Sequence, residues 1–153
     1  LFNFAIFPQE KREYLYQTAE GSVAQTFFTN GQSIHGRELV YCKPIDRFFE
    51  EANLTHVDVL KVDIESAEYI LFPDDSFSKV ADKIDLIIGE AHYDTITDAI
   101  PAILPVILRK YGFVTRFTTD KNLIYKLHYT QQSGEKNIYD LQCNTIFIAR
   151  RKK

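Results

Sequence analysis

Asp63, Glu65 and Glu68 close an apolar run, Val57-Asp58-Val59-Leu60-Lys61-Val62-Asp63-Ile64, and a second apolar run over 83–90 also ends acidic, on Glu90-Ala91-His92-Tyr93-Asp94. Val/Ile/Leu runs of this length are the pattern of strands buried on both faces in α/β proteins. Ligands in such folds sit just beyond the carboxyl ends of the strands. If the two runs are adjacent parallel strands, Asp63, Glu65, Glu90 and His92 meet in one crevice. A lone histidine is more often structural, but one beside carboxylates at two strand ends is a candidate base or ligand. Along an extended 57–65, alternation puts Lys61, Asp63 and Glu65 on one side and Leu60, Val62 and Ile64 on the other. An unpaired charge inside a buried strand is costly. Lys61 and Asp63 therefore belong either to an ion pair that fixes the strand or to a site at its end.

The elements that must carry these residues read as alternating strands and helices. Residues 1–7 read as a strand, Pro8-Gln9-Glu10-Lys11 as a turn, and Glu13-Tyr14-Leu15-Tyr16 as a short strand paired with the first. Residues 17–38 are rich in Gly, Ser, Thr, Asn and Gln and read as loop. Leu39-Val40-Tyr41-Cys42 is strand-like. Pro44 then precedes Ile45, Phe48, Phe49 and Ala52, the spacing of a helix with one buried face, and Asn53 is a fitting stop. After the 57–64 strand, 66–72 predicts a short helix ended by Pro73. Ile100, Ile103, Leu104, Ile107, Leu108 and Tyr111 mark a periodic helix capped at Gly112, with Pro105 kinking it or delaying its start. Residues 113–118, 123–129 and 144–149 read as strands.

The 153 residues suffice for one domain with a core, and neither a repeat nor a second domain is visible, so 1–153 is read as a single domain. The apolar share of 45%, the charged share of 25% and the net charge of −3 describe an ordinary globular chain and disfavour a general nucleic-acid binder. The basic end Arg150-Arg151-Lys152-Lys153 reads as a solvated tail. No run of about 18 apolar residues predicts a membrane span, and no secretory signal opens the chain. Cys42 and Cys143 lack metal spacing and read as reduced thiols of a cytoplasmic protein. The chain contains no methionine and opens on residues that read as the interior of a strand, so it is expected to begin partway through a domain.

The segment 57–68 closely resembles the "D-L-L-K-I-D-V-E-G-A-E" signature of FkbM-type methyltransferases. Phe4-Ala5-Ile6 resembles that family's "n-x-A-i" strand, and Cys42-Lys43-Pro44-Ile45-Asp46-Arg47-Phe48 sits where it has "v-x-T-L-D-d-l". Ile87-Ile88-Gly89-Glu90-Ala91-His92 resembles "i-i-x-E-x-H", and Lys110-Tyr111-Gly112-Phe113 resembles "L-x-x-x-G-F/Y". The resemblance covers most of 1–117, with 119–142 atypical. Ser66 stands where the family has Gly. No glycine-rich turn of the GxGxxG kind occurs, so the chain matches the C-terminal half to two-thirds of such a domain.

The resemblance implies an α/β, Rossmann-like class I methyltransferase fold lacking its N-terminal cofactor-binding strands. It also implies S-adenosyl-L-methionine as cofactor and methyl transfer to a hydroxyl of a sugar or natural product. Under it, Asp63 and Glu65 lie on the cofactor side, His92 is the general base, Glu90 orients His92 or the substrate, Glu68 sits at a helix start favoured by the dipole, and Lys61 pairs with one of the acids. The partner is a small-molecule or glycan acceptor. Its pocket is expected from 17–38 and 119–142, with Phe27, Phe28, Tyr125 and Tyr129 as walls. The chain alone is expected to bind the cofactor weakly and to be inactive. Asp63, Glu65, Glu90 and His92 also suit Mg²⁺ or Mn²⁺ in a metal-dependent hydrolase or a metal-assisted methyltransferase, though no specific metal motif is present. A third reading is a non-catalytic remnant or interaction module.

Overall fold

The computed structural model describes residues 3–17, 27, 34–65, 67–92, 103–117 and 145–151. They form a mixed α/β structure with two sheets. The first is three-stranded, with β1 (Ala5–Ile6), β2 (Lys11–Gln17) and β3 (Gly36–Lys43) in the order β1-β3-β2. β2 and β3 pair antiparallel along their whole length, from Lys11 opposite Cys42 to Gln17 opposite Gly36, while β1 runs parallel on the other edge of β3. This corrects the expectation that Glu13–Tyr16 would pair with the first strand. The two long extended segments satisfy each other's backbone groups, and β1 is too short to offer an equivalent ladder. It also corrects the loop reading at its two ends, because Gln17 and Gly36-Arg37-Glu38 belong to the ladder despite their polarity. Residues 18–26 and 28–33 lie outside the described part.

Pro44 stands at the N-cap of α1 (Ile45–Glu51) with φ −61°, a value its ring favours. The helix buries Ile45 and Phe49. Asn53 takes a left-handed φ of 51°, and Leu54 N–H donates to the Phe49 carbonyl at 2.8 Å, ending the helix as its residue type predicts.

The second sheet has the order β4-β5-β7-β6, built from β4 (Val57–Val62), β5 (Ile84–Ala91), β6 (Phe113–Phe117) and β7 (Thr145–Arg151). β4 and β5 are parallel, with Val57 opposite Ile84 and Val62 opposite Gly89. β7 runs antiparallel to both β5 and β6. Gly89 permits the close approach of its neighbours: an added Cβ would lie 2.5 Å from the Val62 carbonyl oxygen and 2.8 Å from the Phe147 ring. Between β4 and β5 run α2 (Glu68–Leu71), α3 (Asp75–Ser78) and a 3-10 turn (Ala81–Lys83). Asp74 caps α3 by accepting from Ser76 N–H at 2.8 Å. α4 (Ile103–Arg109) carries Pro105 in its first turn and is followed by Gly112 at φ 85°. Pro101, His92's follower Tyr93 and the expected strand over 123–129 lie outside the described residues.

The core joins these elements. Phe72 packs against Phe77 at 5.0 Å and Phe147 at 6.2 Å between ring centroids, and Phe77 against Tyr111 at 5.3 Å. Two expectations are corrected here. β4 is not buried on both faces: among the described residues it is an edge strand, and Val59 is 51% exposed. Its apolar composition serves the face that packs, where Val62 is buried. Arg151 is not part of a solvated tail. Its guanidinium donates to the carbonyls of Ile84 (3.1 Å), Tyr111 (3.0 Å) and Ala81, and stacks over Phe113. A guanidinium has donors in a fixed fork, which lets one side chain satisfy three carbonyls from separate elements. Among the described residues no helix is long and apolar enough to cross a membrane.

Candidate active site

The parallel pairing of β4 and β5 carries their carboxyl ends to the same edge, as the two acidic runs predict. The chain leaves β4 at Val62, and Glu65 turns back with a left-handed φ of 50°, a conformation non-glycine residues adopt only when the surroundings enforce it. β5 delivers Glu90 and then His92 just past its end. His92 is the hub. Its Nε2 lies 3.7 Å from Glu65 Oε2, 3.9 Å from Glu90 Oε2 and 4.0 Å from Asp63 Oδ1. Its Nδ1 lies 3.1 Å from Glu68 Oε1.

Burial separates two kinds of acid in this cluster. Glu68 is fully buried and His92 is 5% exposed, whereas the side chains of Asp63, Glu65 and Glu90 are each about a third exposed. Glu68 Oε1 also accepts the Ile64 N–H at 3.1 Å, which ties the loop after β4 to the start of α2. Nδ1–H donating to Glu68 leaves Nε2 as the nitrogen that faces the open carboxylates. No hydrogen-bond partner meets Nε2 among the described residues.

Burial is the largest single influence on His92 and pulls its pKa down, but the hydrogen bond to Glu68 and the charges of Glu68, Glu65 and Asp63 together outweigh it, so the net shift is upward. Glu65 is also pushed up, first by burial and then by Asp63, Glu68 and Glu90, with His92 opposing. The cluster therefore favours a positive charge at its centre.

The predicted quartet Asp63, Glu65, Glu90 and His92 is brought together. Lys61 does pair with an acid, Asp63 at 3.4 Å, but the lysine side chain is 76% exposed, so the pair is a surface contact and not a buried clamp on the strand. Glu90, expected to orient His92 or the substrate, is not the acid hydrogen-bonded to the ring, since its Oε2 lies 3.9 Å from Nε2. That position belongs to Glu68, which the sequence places correctly at a helix start but does not connect to His92. A Glu-x-x near the end of one acidic strand and a His near the end of the next is the only hint, and it does not say which carboxylate turns inward. Of the expected acceptor-pocket walls, Phe27 packs on Phe7 with centroids 4.9 Å apart. Phe28, Tyr125 and Tyr129 lie outside the described residues. Cys42 is a buried free thiol.

Comparison with curated proteins and with solved structures gives no match. The family model of the methyltransferase FkbM domain matches residues 5–115, a span that holds β1 through β5, α4, the first part of β6 and every residue of the cluster. A chain matched over that span, with the acids and histidine of its two strand ends converging on one point, belongs to the FkbM methyltransferase family.

Proposed function

We propose that the chain supplies the acidic and histidine-bearing strand ends for S-adenosyl-L-methionine-dependent methyl transfer to a hydroxyl oxygen, with a sugar or natural product as acceptor, and that the chain alone binds the cofactor weakly and is inactive. The observation that carries this reading is the buried His92, whose Nε2 faces Asp63, Glu65 and Glu90 within 4.0 Å in a chain of the FkbM family. The family reading fits a Rossmann-like domain, and the strand order β4-β5-β7-β6 with its antiparallel β7 is compatible with the later half of such a sheet. The shared core, into which Ile6 of β1 also packs, supports treating 1–153 as one domain. The buried free thiol of Cys42 agrees with a reducing, cytoplasmic setting.

The donor set suits the cofactor's charge. S-adenosyl-L-methionine, when bound, supplies an electrophilic methyl group on a cationic sulfonium. Asp63 and Glu65 are the residues that would face its positive groups, since carboxylates attract cations most strongly where water is partly excluded. His92 Nε2 takes the acceptor hydroxyl's proton as general base. Glu68 holds the ring so that Nε2 is the accepting atom and stabilises the imidazolium once formed. Glu90 hydrogen-bonds the acceptor beside it. Against the lowering by burial, the hydrogen bond to Glu68 and the neighbouring carboxylates, which raise the His92 pKa, strengthen the imidazole as a proton acceptor.

Transfer of a labelled methyl group to sugar and natural-product hydroxyls by the full-length enzyme tests the reading. His92→Gln is expected to lower the rate about 10²-fold or more. An unchanged rate would remove His92 as base.

A further inference from the structure

Asp63, Glu90 and His92 each offer one ligand atom, and these atoms all lie within 4.8 Å of one another. We propose that the crevice binds a divalent transition-metal cation, held by His92 Nε2, one carboxylate oxygen of Asp63 and one of Glu90.

Acidic clusters are common without ions, so the carboxylates alone would not carry this. The second observation is His92. It is 5% exposed, its Nε2 meets no hydrogen-bond donor or acceptor among the described residues, and that atom points into the carboxylates. A polar atom buried in this way ordinarily has a partner. Its other nitrogen is already engaged by the fully buried Glu68 at 3.1 Å. A carboxylate on the far nitrogen is the arrangement that fixes the tautomer of a metal-bound histidine and raises its basicity. With Nδ1–H given to Glu68, the neutral ring presents the Nε2 lone pair to negative oxygens, and a metal cation there competes with the ring's own second proton for that place.

Distances agree with this occupant. Nitrogen and oxygen ligands at about 2.1 Å from a metal stand about 3.0 to 3.4 Å from one another. The observed 4.0 Å to Asp63 and 3.9 Å to Glu90 therefore need only a small inward movement of two side chains that are both 36% exposed. Glu65 Oε2, 3.7 Å from Nε2, adds negative charge beside the site. One imidazole with carboxylates favours Mn²⁺ or Zn²⁺ over Mg²⁺ or Ca²⁺, which prefer oxygen alone.

A second trio, His56, Asp58 and Asp85, has comparable spacing, with His56 Nε2 at 3.4 and 3.6 Å from the two carboxylates, but all three residues are exposed. It lacks a buried histidine and an orienting acid, so it carries no site and serves as an internal control.

The metal site uses the same Nε2 as the methyl-transfer reading, and the two are told apart because metal binding is tested with neither donor nor acceptor present. The two do constrain each other, since a cation on Nε2 takes the lone pair that base catalysis needs. Titration of the chain with Mn²⁺ alone, followed calorimetrically and by loss of the free-ion paramagnetic signal, should show one saturable site. Asp63→Asn and Glu90→Gln should each weaken it about tenfold or more, and Glu68→Gln by about 10- to 100-fold through the histidine. Asp85→Asn should leave it unchanged. Absence of saturable binding overturns the proposal. So does binding that survives Asp63→Asn and Glu90→Gln, or binding that Asp85→Asn abolishes. The part-exposed Asp63 and Glu90 keep the test decisive if Glu68→Gln fails to fold.

Discussion

Glu68 Oε1 stands 3.1 Å from His92 Nδ1, joining residues 24 positions apart, one at the start of α2 and the other just beyond β5. The same oxygen accepts the Ile64 N–H, so a single buried carboxylate holds both the imidazole and the loop that carries Asp63 and Glu65.

Replacing Glu68 with Gln keeps the shape and removes the charge. The His92 pKa should fall, because burial then acts with less opposition from hydrogen bonding and charge. Nuclear magnetic resonance titration of the ring would follow this directly. The acidic limb of the pH–rate profile should move to lower pH with KM little changed. A profile that stays in place would show that Glu68 only supports the fold.

The upward shift of His92 has a defined consequence for stability. The folded state holds this proton more tightly than the unfolded chain, so its contribution is fully present below the unfolded value of 6.5 and is lost as pH rises through the folded value. Glu65 is shifted in the same direction from 4.5 and adds a loss of the same sign at lower pH. Urea midpoints measured across neutral pH should decline as pH rises, and His92→Gln should flatten that decline. A midpoint that rises through the same range in the wild type, with no change in the variant, would contradict the assignment.

Gly89→Ala tests the packing behind the site. The added methyl meets the Val62 carbonyl oxygen at 2.5 Å and the Phe147 ring at 2.8 Å, and the backbone oxygen has little freedom to move. A loss of about 1–3 kcal/mol in unfolding free energy is expected from overpacking. A loss under about 0.5 kcal/mol in denaturant unfolding would show that β4 and β5 separate easily.

Arg151→Ala strips donors from the carbonyls of Ile84, Tyr111 and Ala81. The cost should be about 2 kcal/mol or more, since hydrogen bonds to charged groups are the stronger kind. Arg151→Lys should recover only part of it, because an ammonium cannot reproduce the planar fork. Full recovery by lysine would mean that charge alone matters.

Much of the fold was legible locally. Pro44, Asn53, Gly112 and the 3.6-residue spacing of Ile45 and Phe49 mark helix ends and faces through backbone geometry that neighbouring residues alone impose. The strand pairing of 11–17 was not legible, because polar 36–38 carries no apolar alternation and its place in the ladder rests on backbone hydrogen bonds that side-chain pattern does not report. The basic end misled for a related reason: Arg151 resembles its exposed neighbour Arg150 in sequence, and only the carbonyls it meets make it structural.

For the site, the sequence by itself determined that acids and a histidine end two apolar runs, and the tertiary structure supplied the parallel pairing that brings those ends together. The tertiary structure alone decided their ranks. It buried Glu68 and turned it onto Nδ1, left Glu90 facing Nε2 beyond hydrogen-bond distance, and put Lys61 in solvent. Which of several neighbouring carboxylates becomes the inner partner depends on how α2 docks against β5, a relation between segments that no local spacing encodes.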